Sequence, residues 1–455
     1  MGRTPPELTP PPLERKTDAP LVHLRSYDLI APLFGGGVVP QQADPITVVR
    51  ASEVRGHLRF WWRATRAGRY GRDGLAQMKQ DEDRIWGSTS SQSLVHVEVR
   101  RLPDGAGVVV KSYSAAGRSI GLGDPRSPLS YGAFPLRGGN NSGLCFAVKF
   151  ELAVTLPPKA QDQAEVLAAL WAWETFGGLG ARTRRGFGAL QCVAVQGLSN
   201  AGPWLPPVSD AASVTRWLHE MLKHFVIDGE GPTGVPTLAR QPVLRVGRGQ
   251  QIERFAKNFE PKLRQILAGA LPTPLPNKML QGLVAWYYPI EQMKDFRQQR
   301  RRQPNGAPFG RSFWPEPDEI RRRTSGFKGK HSTPLSHTHK FPRAVFGLPI
   351  VFQFKDGLDQ PNGARIDPPN TTLQGEQHDR LASRLILRPL ACGDGRFASV
   401  ATLLNAPALP GNGTLKLVGD QTSTPIDTTP LTRAEAAFSP LHGATDVIQA
   451  FLDTL

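Results

Sequence analysis

The segment "TFGGLGARTRRGFGAL", Thr175 to Leu190, sets several glycines beside Arg182, Arg184 and Arg185. Bare backbone next to fixed positive charge suits an anion: a nucleotide phosphate or a nucleic-acid backbone. The segment is no Walker loop, because GK[ST] is missing. It is no dinucleotide fingerprint either, because it follows a helix and precedes a strand. "RGFGAL" overlaps an RNA-binding strand signature, yet Ala189 stands where a stacking aromatic is expected. Gly177 and Gly178 are expected to end the helix in left-handed conformations. Gly180, Gly186 and Gly188 would then let the backbone approach something closely, and the three arginines would project from a short loop. The alternative is a tight loop packed on its own domain.

A second cationic element is "SEVRGHLRFWWRATR". At helical spacing, Arg55, Arg59, Trp62 and Arg66 form one stripe, with Val54, Leu58, Trp61 and Thr65 beside it as the core side. Like charges on one face repel unless an anion sits there, and Trp62 could stack a base. Alternatively, these arginines meet carboxylates on another element.

If the anion is RNA, cleavage without a metal needs a base for the 2′-hydroxyl and an acid for the leaving oxygen. Asp44, in the loop ahead of the arginine helix, is the candidate base. It could equally pair with Arg50 or cap a turn. Glu53 and His57 share a helix face and read as an exposed pair. In "HSTPLSHTHK", His331, His337 and His339 cluster without a supporting carboxylate or cysteine, so no metal is expected there. Spacing supports no Ser-His-Asp or Cys-His arrangement, and no cofactor motif is present.

The 455 residues suffice for two or three domains. With 55 Lys+Arg against 39 Asp+Glu, the net charge of +16 points to a polyanionic partner. Cys145, Cys192 and Cys392 form no CxxC pair, which argues against a standard zinc module or a disulfide framework and suits a reducing cytoplasm. No run approaches the length of a membrane span, and the Pro-rich residues 1–20 read as a mobile lead-in rather than a signal peptide.

These sites need elements to hold them. An extended segment starts near Leu21, and the triple glycine Gly35 to Gly37 marks a turn. Ser52 reads as the N-cap of the arginine helix. Ser93 to Arg100 alternates like a strand, as do Phe146, Val148, Phe150, Leu152 and Val154. Asp162 to Phe176 reads as a helix, and "FGALQCVAV" as a returning strand. That order is a split βαβ, or ferredoxin-like (RRM-like), unit over 21–197. Residues 198–211 read as a linker. Over 212–455, strands are expected at "PVLRVG", "LPIVFQF", "RLILRPL" and "FASVATLL", with helices near 255–268 and 444–452, as a second α+β sandwich. Lys294 to Arg343, with thirteen Lys/Arg against four Asp/Glu, reads as a mobile basic insertion.

"GGLGARTRRGFG" between a helix and a final strand resembles the RAMP superfamily of CRISPR proteins. "LIAPLFGGG", "ASEVRGHLRFWWRAT", "RIWGS", "FPRAVFGLPI" and "RLASRLILRPL" are similar to segments of the first-subunit family of the type III-B Cmr effector complex. The resemblance implies an α+β fold of two ferredoxin-like domains with a long basic insertion. It implies a non-catalytic, RNA-binding subunit at the distal end of a ribonucleoprotein. There it would meet the 3′ part of the guide crRNA and the target RNA paired to it, beside other Cmr subunits. By motif position, Arg55, Arg59, Trp61, Trp62, Arg63, Arg66, Gly178, Gly180, Arg182, Thr183, Arg184, Arg185, Arg343 and Arg384 become the RNA-binding set. The runner-up is an endoribonuclease acting through Asp44 or a histidine, since the backbone RAMP nuclease places its aspartate in a similar loop. A basic scaffold that touches only proteins is the third reading.

Overall fold

The computed structural model describes residues 21–44, 46–137, 142–197, 202–301, 311–324, 338–354, 368, 370–409, 413–422 and 424–455. The lead-in at 1–20, His331, His337 and much of the basic insertion lie outside the described residues.

The N-terminal half runs β1 (Val22–Leu29), α1 (Ala51–Arg66), α2 (Leu75–Trp86), β2 (His96–Val110), a hairpin of β3 (Ser112–Ala115) and β4 (Arg118–Gly121), β5 (Leu144–Thr155), α3 (Ala160–Phe176) and β6 (Leu190–Gln196). Four of the strands form one antiparallel sheet in the order β2-β5-β1-β6. Phe146, Val148, Phe150, Leu152 and Val154 alternate along β5 and are all buried, as their period-2 spacing requires. Helix α1 starts at Ala51 with Arg50 as its N-cap, so Ser52 lies inside the first turn rather than capping it. Helix α3 is buried nearly all round, because α1 covers one side and the second half of the chain another.

The C-terminal half contains α4 (Ala211–Phe225), β7 (Leu244–Val246), α5 (Gly249–Leu267), α6 (Asn277–Arg297), α7 (Glu316–Thr324), β8 (Ile350–Phe352), β9 (Thr371–Gly375), β10 (Leu385–Ala391), β11 (Phe397–Leu403), β12 (Leu415–Leu417) and α8 (Val447–Leu452). Its described strands make two three-stranded antiparallel sheets, β10-β11-β7 and β12-β9-β8, where one sandwich like the first was expected. The two halves share their cores. Ile386 and Leu390 of β10 pack with α1 and α3, while Leu385 and Leu387 pack with α5, α6 and Phe187. The expected linker is also packed: Trp204 meets Phe225 and lies under the Arg25 guanidinium at 4.3 Å.

The described part of the basic insertion is folded. In α7, Glu316, Asp318 and Glu319 take up arginines: Glu319 pairs with Arg322 and with Arg323 Nε at 2.6 Å, and Glu316 with Arg343 at 3.0 Å. Acidic residues in the first turn and basic ones in the last also suit the helix dipole. Reading charge without pairing made this stretch look like open loop.

Inside the first half, Arg25 gives Nε and Nη2 to Glu174 at 2.6 and 2.9 Å, and the Tyr27 hydroxyl donates to the same carboxylate at 2.5 Å. His23, fully buried, contacts Arg25 at 3.1 Å. Burial, and then the Arg25 charge, push the His23 imidazole down to about 4. The unfolded chain therefore takes up a proton below about pH 6.5 that the folded chain refuses until about pH 4. Stability should be lost as pH falls through that window. Denaturant melts from pH 7 to pH 5 check this, and His23→Gln should flatten the profile.

Candidate nucleic-acid interface

The arginines of α1 are held by their own chain. Arg55 donates to the carbonyls of Trp86 and Val95 at 2.8 and 3.0 Å. Arg59 and Arg63 both reach Glu82 Oε1 of α2 at 2.6 Å. Arg66 is buried, donates to the carbonyls of Phe225 and Ala164, and lies 3.2 Å from Glu165. Trp62 has no exposed surface, and its indole donates to Glu165 at 2.9 Å. It therefore has no face to stack a base. Trp61, 4% exposed, tilts onto Phe176. The helix is amphipathic in the ordinary sense: α2 and α3 supply the counter-charges that the stripe demanded, and the carbonyls of Trp86 and Val95 take up Arg55.

Glu53 and His57 are half-buried rather than exposed, 3.7 Å apart. Glu53 accepts the Gly180 backbone N–H at 2.5 Å, so it ties α1 to the glycine loop. Asp44 caps a turn. Its Oδ1 accepts from Thr47 N at 2.8 Å, Ile46 N at 3.0 Å and the Thr47 hydroxyl at 3.1 Å. The Thr47 and Ile46 backbone donors hold its carboxyl below the usual range, which makes it a poor base. His339 contacts Glu319 at 2.9 Å.

The glycine loop approaches the second half of its own chain. Gly177 is extended, at φ −94° and ψ −164°, and neither it nor Gly178 is left-handed. Instead, a Cβ on Gly177 would lie 2.5 Å from Trp61 Nε1, and one on Gly178 2.7 Å from the Phe187 carbonyl. Close packing, not turn chirality, demands glycine at both. Gly186 combines φ +73° with a contact in which a Cβ would sit 2.9 Å from Leu387 O of β10. Thr183 opens a single 3₁₀ turn, and its carbonyl accepts the Gly186 N–H at 2.9 Å.

Arg184 and Arg185 serve as bolts. Arg184 donates to the Ser383 carbonyl, and Arg185 to those of Leu385 and Phe346 at 3.0 and 3.1 Å. The Trp286 indole of α6 returns a bond to Arg185 O at 3.1 Å. Arg388 reaches the other way, from β10 to the carbonyls of Glu174 and Leu190. Arg343 is spent on Glu316 and on the Arg297 carbonyl at 2.9 Å. Arg384 lines a smaller cavity of about 330 Å³ with Lys340 and Asp427.

Arg182 differs. Itself left-handed at φ 61°, it lies over the Phe134 ring at 4.8 Å, and its Nε has no partner. Burial, with the Arg297 charge adding to it, lowers its guanidinium to about 10. Phe134 lines a cleft of about 830 Å³ between the 123–137 segment and helices α5 and α6. Arg137, Arg254, Lys262 and Lys294 line it too, against Glu291 and Asp295. The α5 cations were missed in the sequence, although the i, i+4, i+8 spacing of Arg254, Asn258 and Lys262 put them on one polar stripe.

Residues 26–191 match the RAMP superfamily. A curated relative, the CRISPR system Cmr subunit Cmr1-1 of Pyrococcus furiosus, is 27% identical over 150 residues, 32% of this chain and 40% of the relative. The matched stretch thus spans about two fifths of that relative's length. Among solved structures, apo Cmr1 from Pyrococcus furiosus is similar at 15% identity and a TM-score of 0.34, over 85% of this chain and 88% of that one. A chain of the type III-B Cmr-beta complex bound to cognate target RNA and AMPPnP is similar at 12% identity and 0.45, over 96% and 100%. The RAMP match runs from β1 to β6, through the glycine loop and both of the helices that hold it.

Proposed function

We propose that the protein is a non-catalytic RNA-binding subunit of a type III-B Cmr ribonucleoprotein. In this reading its N-terminal unit is a ferredoxin-like RAMP domain, the C-terminal half is a second, divergent one, and the chain meets guide crRNA, target RNA or both at the distal end of the complex. The RAMP match over 26–191 carries the reading. The Cmr1-1 relative and the net charge of +16 support it. Binding would be blind to sequence, because phosphate contacts position RNA while guide–target pairing specifies it. Among the residues singled out in the sequence, Arg182 is the one best placed to meet a phosphate. The α1 arginines, Arg184 and Arg185 act one step back, by fixing the loop.

The absence of cleavage is tested on strand length. End-labelled single-stranded RNA incubated with the purified chain should stay intact, with and without Mg²⁺, and Asp44→Ala and His57→Ala should behave as wild type. Shortening that Asp44→Ala abolishes would establish a nuclease instead.

A further inference from the structure

Three observations converge on the cleft between the 123–137 segment and helices α5 and α6. First, Phe134 is 56% exposed, and it is the one aromatic ring among the exposed large hydrophobic side chains of the described residues. It sits on the cleft wall with Tyr131, Phe255 and Tyr288. Second, the guanidinium groups of Arg182, Arg185 and Arg297 lie close enough to repel one another, with Arg182 over the Phe134 ring of that wall at 4.8 Å. Arg297 donates to the Tyr131 hydroxyl at 2.9 Å, and none of the ion pairs among the described residues involves these three arginines. The Nε atoms of Arg182 and Arg297 are buried without a hydrogen-bond partner. Three cations massed without a carboxylate are a standing repulsion that an anion relieves. Third, Arg254 and Lys262 of α5 line the opposite wall on one stripe with Asn258.

We propose that this cleft grips a short stretch of single-stranded RNA, with one base stacked on Phe134 and the flanking phosphates held by Arg254 and Lys262 and by the Arg182–Arg297 cluster. The proposal rests on the RNA-binding reading above and adds the site and the strand state. Aromatic rings beside a cationic track suit single strands, because stacking needs an unpaired base and every base has a π-face. A duplex keeps its bases paired and stacked, so it offers Phe134 no free base face.

The test uses the full chain and a labelled 12-nucleotide oligouridine, with uridine monophosphate as competitor and a double-stranded RNA for comparison. Phe134→Ala should weaken oligouridine binding about tenfold while Phe134→Trp retains it. Arg254→Ala/Lys262→Ala should weaken it about tenfold or more. Lys257→Ala/Arg264→Ala removes the same charge from a neighbouring stripe of α5, where both residues are exposed and neither lines the cleft, and should cost about threefold at most. Equal losses from the two double variants, or full binding by Phe134→Ala, would overturn the cleft while leaving RNA binding in place. Displacement by uridine monophosphate at an equal nucleotide concentration would mean a mononucleotide pocket, and tighter binding of the duplex would contradict the single-strand assignment. Wild-type protein that retains no RNA at low salt would remove the parent reading as well.

Discussion

Glu174→Gln should destabilise the protein by about 3–5 kcal/mol, the range for breaking a buried ion pair from one side. The substitution keeps the side-chain shape, removes the charge and turns one of the two acceptor oxygens into an NH2 donor. Arg25, which has no exposed surface, then loses the carboxylate that receives both its Nε and Nη2. The Tyr27 hydroxyl loses its charged acceptor too. Because the Glu174 backbone carbonyl also receives Arg388, any shift of α3 is passed to β10. Urea unfolding followed by tryptophan fluorescence checks this. A loss under about 1 kcal/mol would mean that the cluster is no keystone.

Arg184→Ala/Arg185→Ala should act on the joint between the halves. The pair supplies donors to three carbonyls of the C-terminal half, at Ser383, Leu385 and Phe346. Leaving buried carbonyls unpaired costs about 1–3 kcal/mol each, so the three together should cost about 3–9 kcal/mol. Amide exchange should accelerate in β10 and in the 342–346 turn. Arg182→Ala, which breaks no such bond, should leave exchange there unchanged and weaken RNA binding alone. Unchanged exchange in the double variant, with RNA binding lost, would make these two arginines phosphate contacts instead of bolts.

That division between Arg182 and its neighbours was not legible in the sequence. The glycine–arginine pattern announced a close approach and an excess of charge, but a sequence does not say what is approached. Gly186 needs its missing Cβ because of Leu387, two hundred residues further on. In α1, Val54, Leu58, Trp61 and Thr65 are buried as their spacing foretold, but so are Trp62 and Arg66 of the arginine stripe. Its counter-charges come from Glu82 and Glu165 on other helices, which periodicity cannot pair with it. Strand positions in the first half were legible because β5 and β6 alternate or run apolar between clear turns. Helix α6 was missed: it is buried nearly all round, so it has no stripe, and Gly282 and Pro289 break its pattern. β9 and β12 are only five and three residues long and leave no period to read. The cleft escaped notice because its walls come from segments more than a hundred residues apart.

The measurement that bears most directly on the central claim is a salt titration of single-stranded RNA binding by the purified, full-length chain. Retention should fall linearly in log affinity with log salt, at about 0.7 per phosphate contacted, and the Arg182→Ala line should be shallower by about that amount. RNA that is not retained even at about 50 mM salt, or is retained with no salt dependence, would contradict an RNA-binding subunit built on phosphate contacts.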